Sequence, residues 1–137
     1  MFYLIILSVF SICAIIVLNE FVDEFILKGG VLYMKPFDFE KKEELLSKGN
    51  VVLFFGSEGC PSCKLLKDEL AKVNIQDEID LYYVDIVNKE GRELAVSHRI
   101  MSIPVLILFK DGKEVNKIIG YKRKQHLEEA FSKLVSL

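Results

Sequence analysis

Three runs of strand length, apolar almost throughout, constrain this chain more than anything else in it. They are Val51 to Phe55, residues 79–85 (IDLYYVD) and Pro104 to Phe109. A strand that is apolar on both faces must be covered on both, which is the situation inside a sheet flanked by helices. The segments between the runs have the spacing to supply those helices. Residues 37–48 read as a charged amphipathic helix with Phe39, Leu45 and Leu46 inward and Gly49 as its stop. Residues 60–73 follow with Leu65, Leu66, Leu70 and Val73, residues 88–97 form a short helix, and 121–135 close the chain through Leu127, Phe131 and Leu134. Ahead of them residues 31–35 can form a short strand that Pro36 ends. Asp111-Gly112 is a favoured two-residue hairpin turn, so 114–119 is expected to pair antiparallel with 104–109. Strand–helix alternation followed by a hairpin and a helix implies an α/β fold: a central mixed sheet with helices on both faces.

Ahead of this domain residues 2–18 run without a charge, for seventeen residues. A spanning helix needs about 20 apolar residues, with roughly 17 as the lower limit. Apolar residues then continue at 21, 22, 25 and 26, one face of a helix that can extend to 27 with its acids in water. A cleaved signal peptide would carry a basic start and a small-residue cleavage site, whereas no Lys or Arg precedes Lys28. The expectation is an uncleaved, single-pass membrane anchor over residues 1–28, Gly29-Gly30 as linker, and one domain over 31–137. Cys13 is then a small apolar residue of the anchor. Lys28, Lys35, Lys41 and Lys42 follow the span, which leans towards a cytoplasmic domain. The same layout is also how envelope proteins are built, and the side stays open.

Charge excludes one class of partner. Of 18 basic and 20 acidic side chains, residues 1–30 hold one and three, which leaves the domain neutral. A nucleic-acid binder would show a basic excess on one face, so none is expected as partner.

Three cysteines are too few for a disulfide scaffold, and two of them, Cys60 and Cys63, are spaced C-x-x-C. They stand directly after a buried strand and open a helix, where free N–H groups and the helix dipole favour a thiolate at Cys60. Pro61 suits the first helical position because it has no N–H to leave unsatisfied. Cys63 lies about one turn on, within reach of a disulfide. Lys64, one turn after Cys60, adds a favourable positive charge. The competing reading is half of a zinc site, but tetrahedral zinc needs two further ligands. His98 and His126 are the only histidines, spaced like no ordinary zinc module and placed on charged segments expected to be exposed. No metal and no organic cofactor is expected beyond the Cys60–Cys63 disulfide itself.

The stretch 51–70 (VVLFFGSEGCPSCKLLKDEL), then 80–85, 100–110 (IMSIPVLILFK) and Asp111-Gly112, resembles the thioredoxin family from its second strand to its end. Within it the likeness is to the small, membrane-tethered thioredoxin-like proteins of bacteria. The resemblance covers nearly all of 31–137. It implies that Pro104 is a cis-proline lying against the active-site disulfide, and that Ile103 offers its backbone to a substrate peptide. The sequence departs from the family at three places. Gly59 stands where a Trp usually precedes the first cysteine, Pro61-Ser62 replaces Gly-Pro, and Phe54 and Leu81 occupy the positions of a buried acid and its lysine partner. In the family that acid is thought to relay the proton of the resolving thiol. Phe54 cannot, no other residue of the buried strands offers a substitute, and Cys63 is expected to ionise reluctantly among apolar neighbours. Glu58 is expected to stay solvated.

The resemblance implies a thiol–disulfide oxidoreductase in which Cys60 attacks a client disulfide and Cys63 resolves the mixed disulfide, with an unidentified electron donor or acceptor completing the cycle. Two alternatives stay open. One is the reverse direction, donation of the disulfide to a folding client. The other is a tethered binding module that docks a partner without turnover.

Overall fold

The computed structural model describes residues 34–137 apart from residue 76. The expected anchor over 2–18, its extension to 27 and residues 31–33 of the first expected strand lie outside the described residues. Among the described residues no helix is long and apolar enough to cross a membrane.

The elements run β1 (Lys35–Pro36), α1 (Lys42–Ser47), β2 (Asn50–Gly56), α2 (Pro61–Ala71), β3 (Ile79–Asp85), α3 (Lys89–Ser97), β4 (Val105–Lys110), β5 (Lys113–Ile119) and α4 (Lys124–Ser136). Among the described residues, five strands form one sheet in the order β1-β3-β2-β4-β5. β2 pairs parallel with β3 and antiparallel with β4, so it lies at the centre and every one of its residues is buried. A continuous apolar run makes this possible, because both faces of β2 must be dry.

Alternation along β2 separates the core into two layers. Val52 and Phe54 point to one face, joined by Leu81, Leu106, Leu108 and Ile118 and covered by Leu66 and Leu70 of α2 and Leu127, Phe131 and Leu134 of α4. Val51, Leu53 and Phe55 point to the other, with Ile107 and Phe109, under Leu46 of α1 and Leu94 and Ala95 of α3. Helices therefore lie on both faces, as expected from the strand composition. The hairpin is also as expected. Asp111 and Gly112 both have positive φ, 49° and 84°, which a two-residue turn between twisted strands requires.

Three expectations need correction. The helix expected over 37–48 is only Lys42–Ser47. Asp38 accepts a hydrogen bond from the Glu40 N–H at 3.0 Å, a local turn that competes with helix, and the buried ring ahead of the helix is Phe37. Phe39 and Leu45 are only partly buried. Leu65, expected inward, is 55% exposed. Cys63, Leu66, Leu70 and Val73 already fill the buried stripe at spacings of three and four, and residue 65 falls outside it. Finally, strand β1 includes Pro36, which an edge position permits because no second neighbour needs its N–H.

Candidate active site

The centre of the sheet delivers the chain to the site. β2 ends at Gly56, a three-residue loop follows, and Cys60 caps α2 from an extended conformation with φ −97° and ψ 109°. Pro61 takes the first helical position, as its fixed φ favours. Cys60 and Cys63 are joined as a disulfide with their Cα atoms 5.2 Å apart. The Cys63 N–H donates to Cys60 Sγ at 3.1 Å, and Ser62 Oγ lies 3.4 Å from the same sulfur. Cys60 thus occupies the place an oxygen usually takes at a helix N-cap, and an orphan amide points at it. Cys63 is 1% exposed, whereas Cys60 is only partly buried. Gly59 stands exposed where the family usually places a Trp, and among the described residues a Cβ there would meet nothing within 4 Å.

The second expected part of the site reaches the same end of the sheet by another route. Phe55 pairs with Val105, so the peptide ahead of β4 lies across from Gly56. The Ile103–Pro104 bond is cis. Pro104 is buried, its carbonyl accepts from Gly120 N–H at 2.8 Å, and Ile103 packs on the layer that holds Cys63 and Cys60. Cys60, Pro61, Ser62, Cys63, Ile103 and Pro104 therefore converge on one end of the sheet. Lys64 is exposed, and its N–H closes the first turn of α2 on the Cys60 carbonyl at 3.2 Å.

The histidines lie elsewhere, and one differs from expectation. His126 is exposed on α4. His98 is only 19% exposed, edge-on to Phe109 at 5.5 Å between ring centroids and 3.2 Å from the Glu114 carboxylate. It is a packing residue of the opposite core layer, buried by the aromatic ring that follows it on β4. Among the described residues no cluster of His, Cys, Asp and Glu could hold a metal ion.

Beneath the cysteines the departures of the sequence have a shape. Phe54 is fully buried. A Cβ on Gly56 would lie 2.7 Å from its Cε1 and 3.3 Å from Cys63 Sγ, so ring edge and sulfur flank the same glycine. Leu81 is buried opposite Val52. Sequence reasoning missed two residues here. Tyr83 sits in register with Phe54 on β3, with ring centroids 5.6 Å apart. Its hydroxyl is the buried side-chain polar atom that lacks a hydrogen-bond partner among the described residues. Burial, then the carboxylates of Asp85 and Glu58, push its phenol above the ordinary range. Lys67 extends from α2 with its ammonium 4.2 Å above the Tyr83 ring centroid and 5.8 Å from that of Phe54. The signal for Tyr83 was a pair of adjacent tyrosines, 82 and 83, in a strand read as buried, which alternation sends to opposite faces. For Lys67 it was the four-residue spacing from Cys63, which puts the two on one helix face.

Comparison with known proteins agrees with this arrangement. A model of the thioredoxin-like domain matches residues 40–134. Thioredoxin of Staphylococcus aureus (strain Mu50) is 32% identical over 98 residues, spanning 70% of this chain and 89% of that protein. Among solved structures, a mutant thioredoxin from Halobacterium salinarum NRC-1 superposes with a TM-score of 0.64 at 21% identity, covering 77% of this chain and 91% of that one. Oxidised mitochondrial thioredoxin 3 from Saccharomyces cerevisiae gives 0.64 at 21% identity, covering 73% and 94%.

Proposed function

The chain belongs to the thioredoxin-like domain family and is a thiol–disulfide oxidoreductase, and from that premise we propose that it reduces protein disulfides with Cys60 attacking and Cys63 resolving. The observation that carries the assignment is the asymmetry of the pair. Cys60 is accessible and its sulfur receives an amide N–H at a helix start, whereas Cys63 is 1% exposed. A donor aimed at sulfur favours its anion, and a nucleophile must be reached by its client.

In the reduced protein the Cys60 thiolate attacks one sulfur of a client disulfide. A Cys60–client bond forms and the other client sulfur leaves as a thiolate. Cys63 then gives up its proton and attacks Cys60 Sγ. The second client thiolate departs, and two electrons have passed to the client as Cys60–Cys63 becomes a disulfide. An external dithiol donor restores the pair. Ile103, ahead of Pro104 and on the same core layer as Cys60, is the proposed backbone contact for an extended client segment. Tethering to a membrane through residues 2–18 is part of the proposal and rests on their uncharged run.

Reduction of insulin by dithiothreitol tests the reading. Full-length protein should accelerate it, and Cys60→Ser should abolish the acceleration. Cys63→Ser should hold clients as mixed disulfides that reductant releases. Trapping by Cys60→Ser instead would reverse the roles. A rate no greater than with dithiothreitol alone would leave a docking module.

A further inference from the structure

Resolution requires a thiolate at Cys63, the most deeply buried sulfur of the site, and burial disfavours that anion. The carboxyl that could share its proton is replaced by Phe54. The layer around Cys63 nonetheless contains a charge. On its own helix stand Lys64, exposed, and Lys67, partly buried. The loop ahead of the helix brings Glu58, which is exposed, and β3 brings Asp85 and the Tyr83 phenol. β2 and β4 face the sulfur's layer with Phe54 and Leu106, and α4 with Leu127 and Phe131.

Of these groups Lys67 is the cation held over aromatic rings, while the Asp85 carboxylate is turned to the Val87 N–H, from which it accepts at 2.9 Å. Residues four apart on a helix have Cβ atoms roughly 5–6 Å from each other, so its stem starts beside Cys63. Its ammonium rests over the rings of Tyr83 and Phe54, and among the described residues no carboxylate lies within 4 Å to neutralise it. Phe54, whose ring edge and the Cys63 sulfur flank Gly56, and Tyr83, which packs against the same core layer, leave Lys67 partly buried, so its field is less screened than that of the exposed Lys64.

We propose that Lys67 is the positioning residue for resolution: its ammonium, seated on the Tyr83–Phe54 pair one turn beyond Cys63, stabilises the Cys63 thiolate in place of the missing acid. The idea rests on Cys63 being the resolving thiol, and its role is electrostatic. Lys67 accepts no proton and touches no client. The Tyr83 hydroxyl is a bystander, and the ring is what matters.

The measurement is the pH dependence of the Cys60–Cys63 reduction potential in full-length protein equilibrated with dithiothreitol, which needs no client and no turnover. Its second break reports ionisation of the second thiol. Lys67→Met keeps the apolar stem and removes the charge. It should move that break up by about half a unit to one unit, and slow single-turnover client release at neutral pH about three- to tenfold. Lys67→Arg should restore both, and Tyr83→Phe should leave both unchanged. An unmoved break in folded Lys67→Met overturns the proposal. A shift in Tyr83→Phe as large as in Lys67→Met also overturns it, by making the phenol the active group. If the wild type fails to reduce insulin, the proposed function fails, while the potential profile still reads Lys67.

Discussion

Replacing Gly91 by Ala sets two effects of opposite sign against each other. Gly91 lies inside α3, where Ala is worth about 1 kcal/mol more than Gly by helix propensity. On that ground the variant should be more stable. The structure argues otherwise. A Cβ at 91 would overlap the carbonyl oxygen of Asp85, stand 2.8 Å from the Asp85 carbonyl carbon and 3.4 Å from Val84 Cγ1. Ordinary carbon–carbon contact is about 3.5–4.0 Å. The obstructing atoms are backbone at the end of β3, so no rotamer change relieves them and the helix itself must lift. Overpacking of that kind costs typically about 1–3 kcal/mol and occasionally more, because Leu94 and Ala95 must leave their seats with it. Because the overlap is with backbone, the upper part of that range applies, about 2–3 kcal/mol, and the steric effect wins by about 1–2 kcal/mol net. For a domain of this size that lowers Tm by roughly 5–15 °C. Thermal unfolding followed by circular dichroism, with urea titration alongside, measures it. A Tm equal to or above that of the wild type would refute the close approach of α3 to β3. The strand end concerned is next to the site, since Ile86 N–H bonds the Gly56 carbonyl at 3.1 Å. The folded fraction of Gly91→Ala should still reduce insulin, because no residue that touches the cysteines has changed.

Two further outcomes follow from other parts of the chain. Full-length protein should remain with membranes after an alkaline carbonate wash, while residues 31–137 alone should be soluble and active. Recovery of soluble protein whose N-terminus lies beyond Leu18 would show a cleaved signal instead. Glu69 joins α2 to α4, accepting from Lys72 Nζ at 2.7 Å and from the Lys124 N–H at 2.8 Å, and these bonds hold its carboxyl below the usual range. A carboxyl with a folded value below its unfolded one stabilises the fold above the unfolded value, and that contribution fades as pH falls through the folded one. Glu69→Gln should therefore lose stability at neutral pH and flatten the acid limb of a Tm–pH curve below about pH 4.5. A limb as steep as that of the wild type would assign the acid sensitivity to other carboxyls.

The parts of the fold that could be read in advance are those where one physical demand decides. Val51 to Phe55 had to be a strand buried on both faces, and it became the centre of the sheet. Asp111-Gly112 had to turn, and both residues adopt the positive φ the turn needs. The start of α1 was decided by a competition that periodicity does not register, in which the Asp38 side chain captured a backbone N–H. Leu65 and Leu66 are both apolar, and only the crossing of α2 over the sheet selects Leu66 for the core. His98 was misplaced because the helix it follows carries Lys89, Glu90, Arg92 and Glu93, whereas its neighbours in space are Phe109 and Phe55.

The same distinction separates what was legible in the site from what was not. The cysteines and Pro61 carry their chemistry in residue type and spacing, and Pro104 was legible through the family resemblance, whose cis bond the structure has. Phe54 was legible only as a loss. From sequence its apolar neighbours make Cys63 a poor acid, and the reasoning stops there because a strand read as buried offers nothing charged. The charge instead arrives from the flank of a helix. Cys63, Leu66 and Leu70 take the inward stripe, and Lys67 lies beside it, where a four-carbon stem can follow the surface and still seat its head on a ring. Such a contact depends on which aromatic residue β3 brings next to Phe54, a matter of strand register across nearly thirty residues of chain. Replacing a buried carboxyl by Phe54 makes the site drier, and dryness lengthens the reach of the charges that remain. Phe54 thus takes the place of the acid that the family resemblance implies, and the same ring is one of the two that carry the Lys67 ammonium.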